Sequence, residues 1–189
     1  MVNDLARIRR KYDLPETFSV VVPEAFTNTC TYEPGFTTLY EHALAVGLRL
    51  PLHPLSRDLL IYLGITPGQL APNGWRFLMG AAYLWPQMFG YEMSLLEFLW
   101  AYRPFPLVGE LWFFSLSLTQ GKKLINKRPS NNKGWKTRFF PVFTLEDIPG
   151  SGMHLPTAWV SRLRGKALLL VRFLALSFIF FPYTLTILP

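Results

Sequence analysis

Prolines and glycines cut the apolar stretch between Phe36 and Arg103 into short pieces, and this punctuation limits the fold more than any other feature of the chain. Proline lacks a backbone donor and holds its predecessor out of the helical region, while glycine supplies a left-handed stop without a Cβ clash. Phe36, Leu39, Tyr40, Ala43 and Leu44 recur at helical spacing, so a helix is predicted there with Gly47 as its stop. Leu48, Leu50 and Leu52 then alternate with Arg49, Pro51 and His53, which predicts an extended connector. Pro54 suits the first turn of the next helix, whose buried stripe is Leu55, Leu59 and Leu63 and whose end is Gly64. Thr66-Pro67-Gly68-Gln69 has the spacing of a capping box, and so does Ser94 with Glu97. Between them Trp75, Leu78, Met79 and Ala82 predict a helix that Pro86 should kink or end. Leu95, Phe98, Leu99 and Tyr102 mark a last helix that stops before Pro104.

The flanks read differently. Arg7, Arg9, Arg10 and Lys11 beside Asp4 make residues 1–12 a polar lead-in, and Ser19 to Val22 form a short β-branched strand closed by Pro23. From Leu111 to Leu118 the chain is aromatic and β-prone, Gln120-Gly121 suits a turn, and Leu124-Ile125 follows, so a β-hairpin is predicted. A loop of Pro129, Ser130, Asn131, Asn132 and Gly134 leads to an aromatic strand from Phe139 to Phe143. The expected class is α+β, a mainly helical domain with a β-hairpin or small sheet, plus a C-terminal apolar helix. The expected boundaries are a polar lead over 1–17, the domain over 18–148, a basic linker over 149–166 and an apolar tail over 167–189. At 189 residues the chain holds one ordinary domain, which excludes several enzymatic activities side by side.

Charge is concentrated rather than spread. The chain has 19 Lys and Arg against 12 Asp and Glu. Lys122, Lys123, Lys127, Arg128, Lys133, Lys136 and Arg138 crowd a stretch with no acidic residue from Leu111 to Leu145. These seven account for the whole net charge of +7. With Trp135, Phe139 and Phe140 nearby, the segment could present cations to phosphates and aromatic faces to unstacked bases, with Lys122, Lys123, Lys127, Arg128, Lys133, Trp135, Lys136 and Arg138 as the binding residues. The plainer reading is a solvated basic loop whose Trp135 and Phe139 plug the core. Arg49 and Arg76 are expected to pair with Glu41, Asp58 or a helix-end carbonyl.

Chemistry is hard to find in the remaining residues. A metal-dependent strand-transfer enzyme needs carboxylates converging on two metal ions. Asp4, Asp13, Asp58 and Asp147 are the only aspartates, and none stands in such a context. His42, His53 and His154 lack metal-ligand spacing, and the single Cys30 can make neither an internal disulfide nor a thiolate zinc site. Phosphate-cradling and nucleophile-elbow motifs are absent. No catalytic residue, metal or cofactor is therefore expected, and the default location is intracellular.

Several strings together resemble the plant gypsy-type transposon domain family, also named a gypsy-type transposase domain. They are Tyr40-Glu41 with Ala43 and Leu44; Gly47-Leu48-Arg49-Leu50-Pro51-Leu52; Leu63-Gly64-Ile65-Thr66-Pro67 with Gln69 to Asn73 and Trp75-Arg76; Glu97-Phe98; and Asn132 to Lys136 with Arg138-Phe139-Phe140. The resemblance spans roughly residues 12 to 145 and departs at Pro86 and after about Pro149. It implies an origin in long-terminal-repeat retroelements and brings no catalytic residue with it.

Ala167 to Pro189 is 23 residues with one charge, Arg172. As a helix it would reach roughly 34 Å, enough for a hydrocarbon core of about 30 Å. Arg162, Arg164 and Lys166 before it would keep the domain cytosolic. Three roles follow as expectations: a non-enzymatic retroelement-derived module associated with nucleic acid or assembly, a tail-anchored membrane protein with a protein-binding cytosolic domain, or a degenerate gene product whose tail is not selected.

Overall fold

The computed structural model describes residues 2–21, 36–110, 112–120, 133–143, 159–161 and 163. The apolar tail, Cys30, His154, Asp147 and the cations Lys122, Lys123, Lys127 and Arg128 lie outside the described residues. The described chain is α+β. Its helices are α1 (Val2–Tyr12), α2 (Glu41–Ala45), α3 (Pro54–Leu63), α4 (Pro72–Phe89) and α5 (Leu95–Ala101), and its strands are β1 (Phe36–Tyr40), β2 (Tyr102–Pro106), β3 (Phe114–Leu118) and β4 (Phe139–Phe143). Among the described residues no helix is long and apolar enough to cross a membrane.

The helical core follows the sequence reading closely. Pro54 opens α3, the imidazole Nδ1 of His53 accepts from the Leu55 amide at 3.2 Å, and Gly64 ends the helix at φ 68°. Leu55, Leu59 and Leu63 are buried as a stripe, and Leu48, Leu50 and Leu52 bury the alternate positions of the connector. Gly47, at φ 113°, closes α2 with bonds from its own amide to Leu44 O and from the Leu48 amide to Ala43 O. The guanidinium of Arg49 donates to the carbonyls of Leu44 and Leu48, at the C-terminal end of α2, which is one of the roles expected for it. Ser94 and Glu97 form a reciprocal cap on α5, the Glu97 amide donating to Ser94 Oγ and the Ser94 amide to Glu97 Oε2.

Several expectations are corrected or narrowed. Residues 36–40 are a strand, since their backbone pairs along β4 and the short apolar spacing fits either period. Pro86 does not end α4, which runs on to Phe89 and stops at Gly90. Residue 86 lies in the last turns, where few following amides depend on a continuous ladder. Tyr102 begins β2 instead of ending α5, and β3 pairs with this strand in the register Tyr102↔Leu118 to Pro106↔Phe114, while Gly121 and Leu124-Ile125 of the expected hairpin lie outside the described residues. Pro104 and Pro106 disguised β2. The Leu107 amide donates to Phe113 O and the Thr119 amide to Ala101 O, so odd-numbered residues carry the ladder and both proline nitrogens face the free edge. Finally, the polar lead is the helix α1, with Ile8 and Tyr12 buried against the domain.

Two antiparallel strand pairs flank one core. β1 pairs with β4 from Phe36↔Phe143 to Tyr40↔Phe139, and Val20 bridges Val142 on the other edge of β4, where the short amino-terminal strand was expected. β3 is tied to the start of α4 by the Leu70–Phe114 bridge and by the Ala71 amide donating to Phe114 O. Trp75, Leu59, Leu60, Phe98, Tyr102 and Phe114 fill the centre and are almost wholly buried. A single apolar cluster unites both pairs and the helices.

Candidate nucleic-acid interface

The basic segment meets the domain through a 3-10 turn, Trp135–Thr137, that leads directly into β4. Gly134 precedes it at φ 74°, and both the Thr137 amide and the Thr137 hydroxyl donate to Gly134 O. This turn puts the Trp135 ring edge-on to Tyr40 at 4.6 Å and to Phe113 at 5.0 Å between centroids. Lys136 reaches back to the Glu110 carboxylate, with its ammonium 4.5 Å above the Phe113 ring. Arg138 is bonded to Glu41 at 3.0 Å, and its carbonyl accepts from the Glu41 amide. Lys133 is exposed. Of the eight residues expected to bind nucleic acid, the four described ones thus divide: Trp135, Lys136 and Arg138 hold the segment to the domain, and Lys133 projects from it.

Glu41 is the electrostatic centre of this corner. Its side chain is 8% exposed, and it receives the Tyr12 hydroxyl at 3.2 Å, Lys11 at 3.4 Å, Arg7 at 3.5 Å and Arg138 at 3.0 Å. Arg7 and Lys11 are one helical turn apart on α1, so both face the same carboxylate. Burial alone would raise the Glu41 pKa, but hydrogen bonds from Lys11 and Tyr12 and the charges of Arg138 and Arg7 outweigh it and hold the carboxyl below its ordinary range. The sequence reading offered Glu41, Asp58 or a helix-end carbonyl as partners for Arg49 and Arg76; the structure gives Glu41 to α1 and to the basic segment. An acidic residue at the start of a short helix beside Tyr40 carried no signal of those distant partners.

A second hub is Gln69, whose side chain is fully buried. Its Oε1 accepts from the amides of Thr66 and Val160, both at 3.2 Å, and its Nε2 donates to Trp112 O at 3.0 Å and Val160 O at 2.7 Å. Only the Gln69 leg of the expected capping box is made, since the Thr66 hydroxyl is buried without a partner. Trp159 lies edge-on to Phe113 at 5.4 Å. Residues inside the stretch read as a basic linker are thereby bonded to the domain's centre.

Beside Trp135, a cavity of about 470 Å³ opens between the N-terminus of α4 and the β2–β3 hairpin. Asn73, Phe77, Phe105, Glu110 and Ser115 line it with Trp135. Asn73 and Ser115 were not read as site residues in the sequence, because a Pro-Asn-Gly helix start and an alternating Ser in a strand look like punctuation. Among the described residues no group of three or more His, Cys, Asp or Glu side chains could hold a metal ion. His42 lies on α2 and His53 caps α3.

Residues 38–105 match the family described as "Putative gypsy type transposon". The match begins inside β1 and ends inside β2, so it takes in α2 to α5 and leaves out α1, β3, β4 and the basic segment. Over those residues the chain is similar to that family. No curated protein and no solved structure matches it significantly.

Proposed function

We propose that this gypsy-type transposon domain is a non-enzymatic, nucleic-acid-associated module of a retroelement-derived protein, held to phosphate backbones by its basic segment. The observation that carries the reading is the confinement of the entire net charge of +7 to residues 122–138, in a stretch with no acidic residue. The domain gives that segment a fixed root, because Trp135 is wedged between Tyr40 and Phe113 immediately before β4.

Partner assignments change the expected magnitude. Lys136 and Arg138 are engaged by Glu110 and Glu41, so five of the seven cations serve phosphate. The slope of log K against log salt for duplex is then about −4.5, at about 0.9 per contact, and about −3.5 for a single strand. The test is titration of the full chain with duplex and single-stranded oligonucleotides between 50 and 200 mM salt, alongside the variant K127E/R128E/K133E. That variant should flatten the slope by about 3. A wild-type slope of −2 or shallower, or one that the variant leaves alone, overturns the reading. Lys136 and Arg138 are unsuitable for charge reversal, because Glu at either position would face Glu110 or Glu41 and disturb the fold as well as binding.

A further inference from the structure

We propose that the cavity at the N-terminus of α4 is a base-binding subsite that takes one unpaired nucleobase from a strand held by the basic segment. The inference rests on the nucleic-acid reading above and adds where, and by what chemistry, a base would be received.

Three observations converge on the cavity. First, Ser115 is 6% exposed, lines the cavity and makes no side-chain hydrogen bond, while the other serine of β3, Ser117, donates to Arg103 O at 3.4 Å. The Ser115 hydroxyl is therefore available to a ligand acceptor in the cavity. Second, Asn73 sits at the second position of α4, a helix of 18 residues, where its amide has no intrahelical acceptor, and its Oδ1 is buried without a donor. The wall therefore offers unused donors and an unused acceptor within one cavity. Third, Phe77, Phe105 and Trp135 give the wall three aromatic side chains among aliphatic ones such as Leu107, Val108 and Leu116.

These features select among ligands. A free phosphate or carboxylate would satisfy donors but not Asn73 Oδ1, and it would meet the Glu110 carboxylate in the wall. A planar, uncharged heterocycle with donor and acceptor atoms along one edge satisfies both kinds of group, and Asn is the side chain that pairs with adenine through both kinds of atom. Aromatic walls give a base its stacking partners, independent of its identity. The volume lies within the range of small-ligand pockets. Position decides between a base and a peptide side chain. Trp135 belongs both to the cavity wall and to the basic segment, so Lys133, two residues away, could hold the backbone of a strand whose base enters beside the indole.

The experiment compares the full chain's affinity for a 12-nucleotide single strand with that for an abasic strand of equal length and charge, at matched salt, by anisotropy. The expected result is about tenfold tighter binding of the base-bearing strand, with S115A and N73L each bringing the ratio toward one and leaving the salt slope unchanged. Equal affinity of the wild-type protein for the two strands, with the slope retained, removes the subsite while the nucleic-acid reading stands. Binding of neither strand removes both. Because the wild-type ratio decides the matter alone, a variant that failed to fold would not rescue the proposal. Competition by an aromatic dipeptide amide but not by adenosine would assign the cavity to peptide and overturn it as well.

Discussion

Glu41 shows how much one residue can carry that its neighbours in sequence do not announce. Its carboxylate joins α1, α2 and the basic segment, and Glu41→Gln would leave Arg7, Lys11 and Arg138 facing a neutral amide. Those cations are about half exposed, so solvent screens part of the loss, and about 2 kcal/mol of destabilisation at pH 7 is expected. Because folding depresses the carboxyl pKa, this stabilisation is complete above the ordinary Glu value of about 4.3 and is lost as pH falls through the lower folded value. Glu97 acts in the same direction: burial would raise it, but the Ser94 hydroxyl and amide and the Tyr91 hydroxyl outweigh that. Urea midpoints of wild type and E41Q should therefore be well separated at pH 7 and draw together near pH 3, and a gap that persists in acid would refute the assignment. Gly68 is another single-residue constraint. A Cβ there would lie 2.5 Å from Thr38 O, which is backbone of β1 and cannot swing aside. Gly68→Ala is expected to cost about 2 kcal/mol, seen as an earlier urea midpoint. Neither residue's importance was legible, since charge partners and close approaches come from residues far along the chain.

At the scale of elements, the readable parts were those governed by local chemistry. The stripe of α3, its proline start and glycine stop, the Ser94–Glu97 cap and the Leu48 to Leu52 alternation depend on neighbours within a few positions, and each is present as read. The misread parts were decided by partners across the fold. Phe36 to Tyr40 is a strand because β4 is beside it, and Tyr102 to Pro106 is a strand because β3 supplies the ladder on the edge the prolines leave open. α4 continues through Pro86 because Leu78, Ala82 and Trp85 anchor it in the core. Proline there still removes one donor and strains the preceding turn. Pro86→Ala should restore the ladder at the exposed end of the helix and stabilise by about 1 kcal/mol net of the added unfolded-state entropy, raising Tm by about 2–4 °C. A lower Tm would mean that the proline ring makes packing contacts worth more than the bond it removes.

For the whole molecule, Gln69 connects the family-matched region to residues far beyond it. Four hydrogen bonds from one buried amide fasten Thr66, Trp112 and Val160, and the bond pair to Val160 spans 91 residues of chain. Gln69→Leu would leave those backbone groups buried without partners. Hydrogen exchange at the Val160 amide should accelerate by at least tenfold in Q69L while exchange in α3 changes little, and unchanged exchange at Val160 would refute the hub. The α+β class, the helical centre, the capping chemistry and the one-sided charge could all be determined from sequence, because each is a property of composition or of residues a turn apart. The resemblance to gypsy-type transposon domains was equally legible, and its matched core is residues 38–105. Strand partners, the carboxylate that gathers three cations, the amide that binds Val160 and the cavity beside Trp135 were decided only by tertiary structure. They join groups brought within a few ångströms by packing, and no spacing along a chain encodes which distant group will arrive.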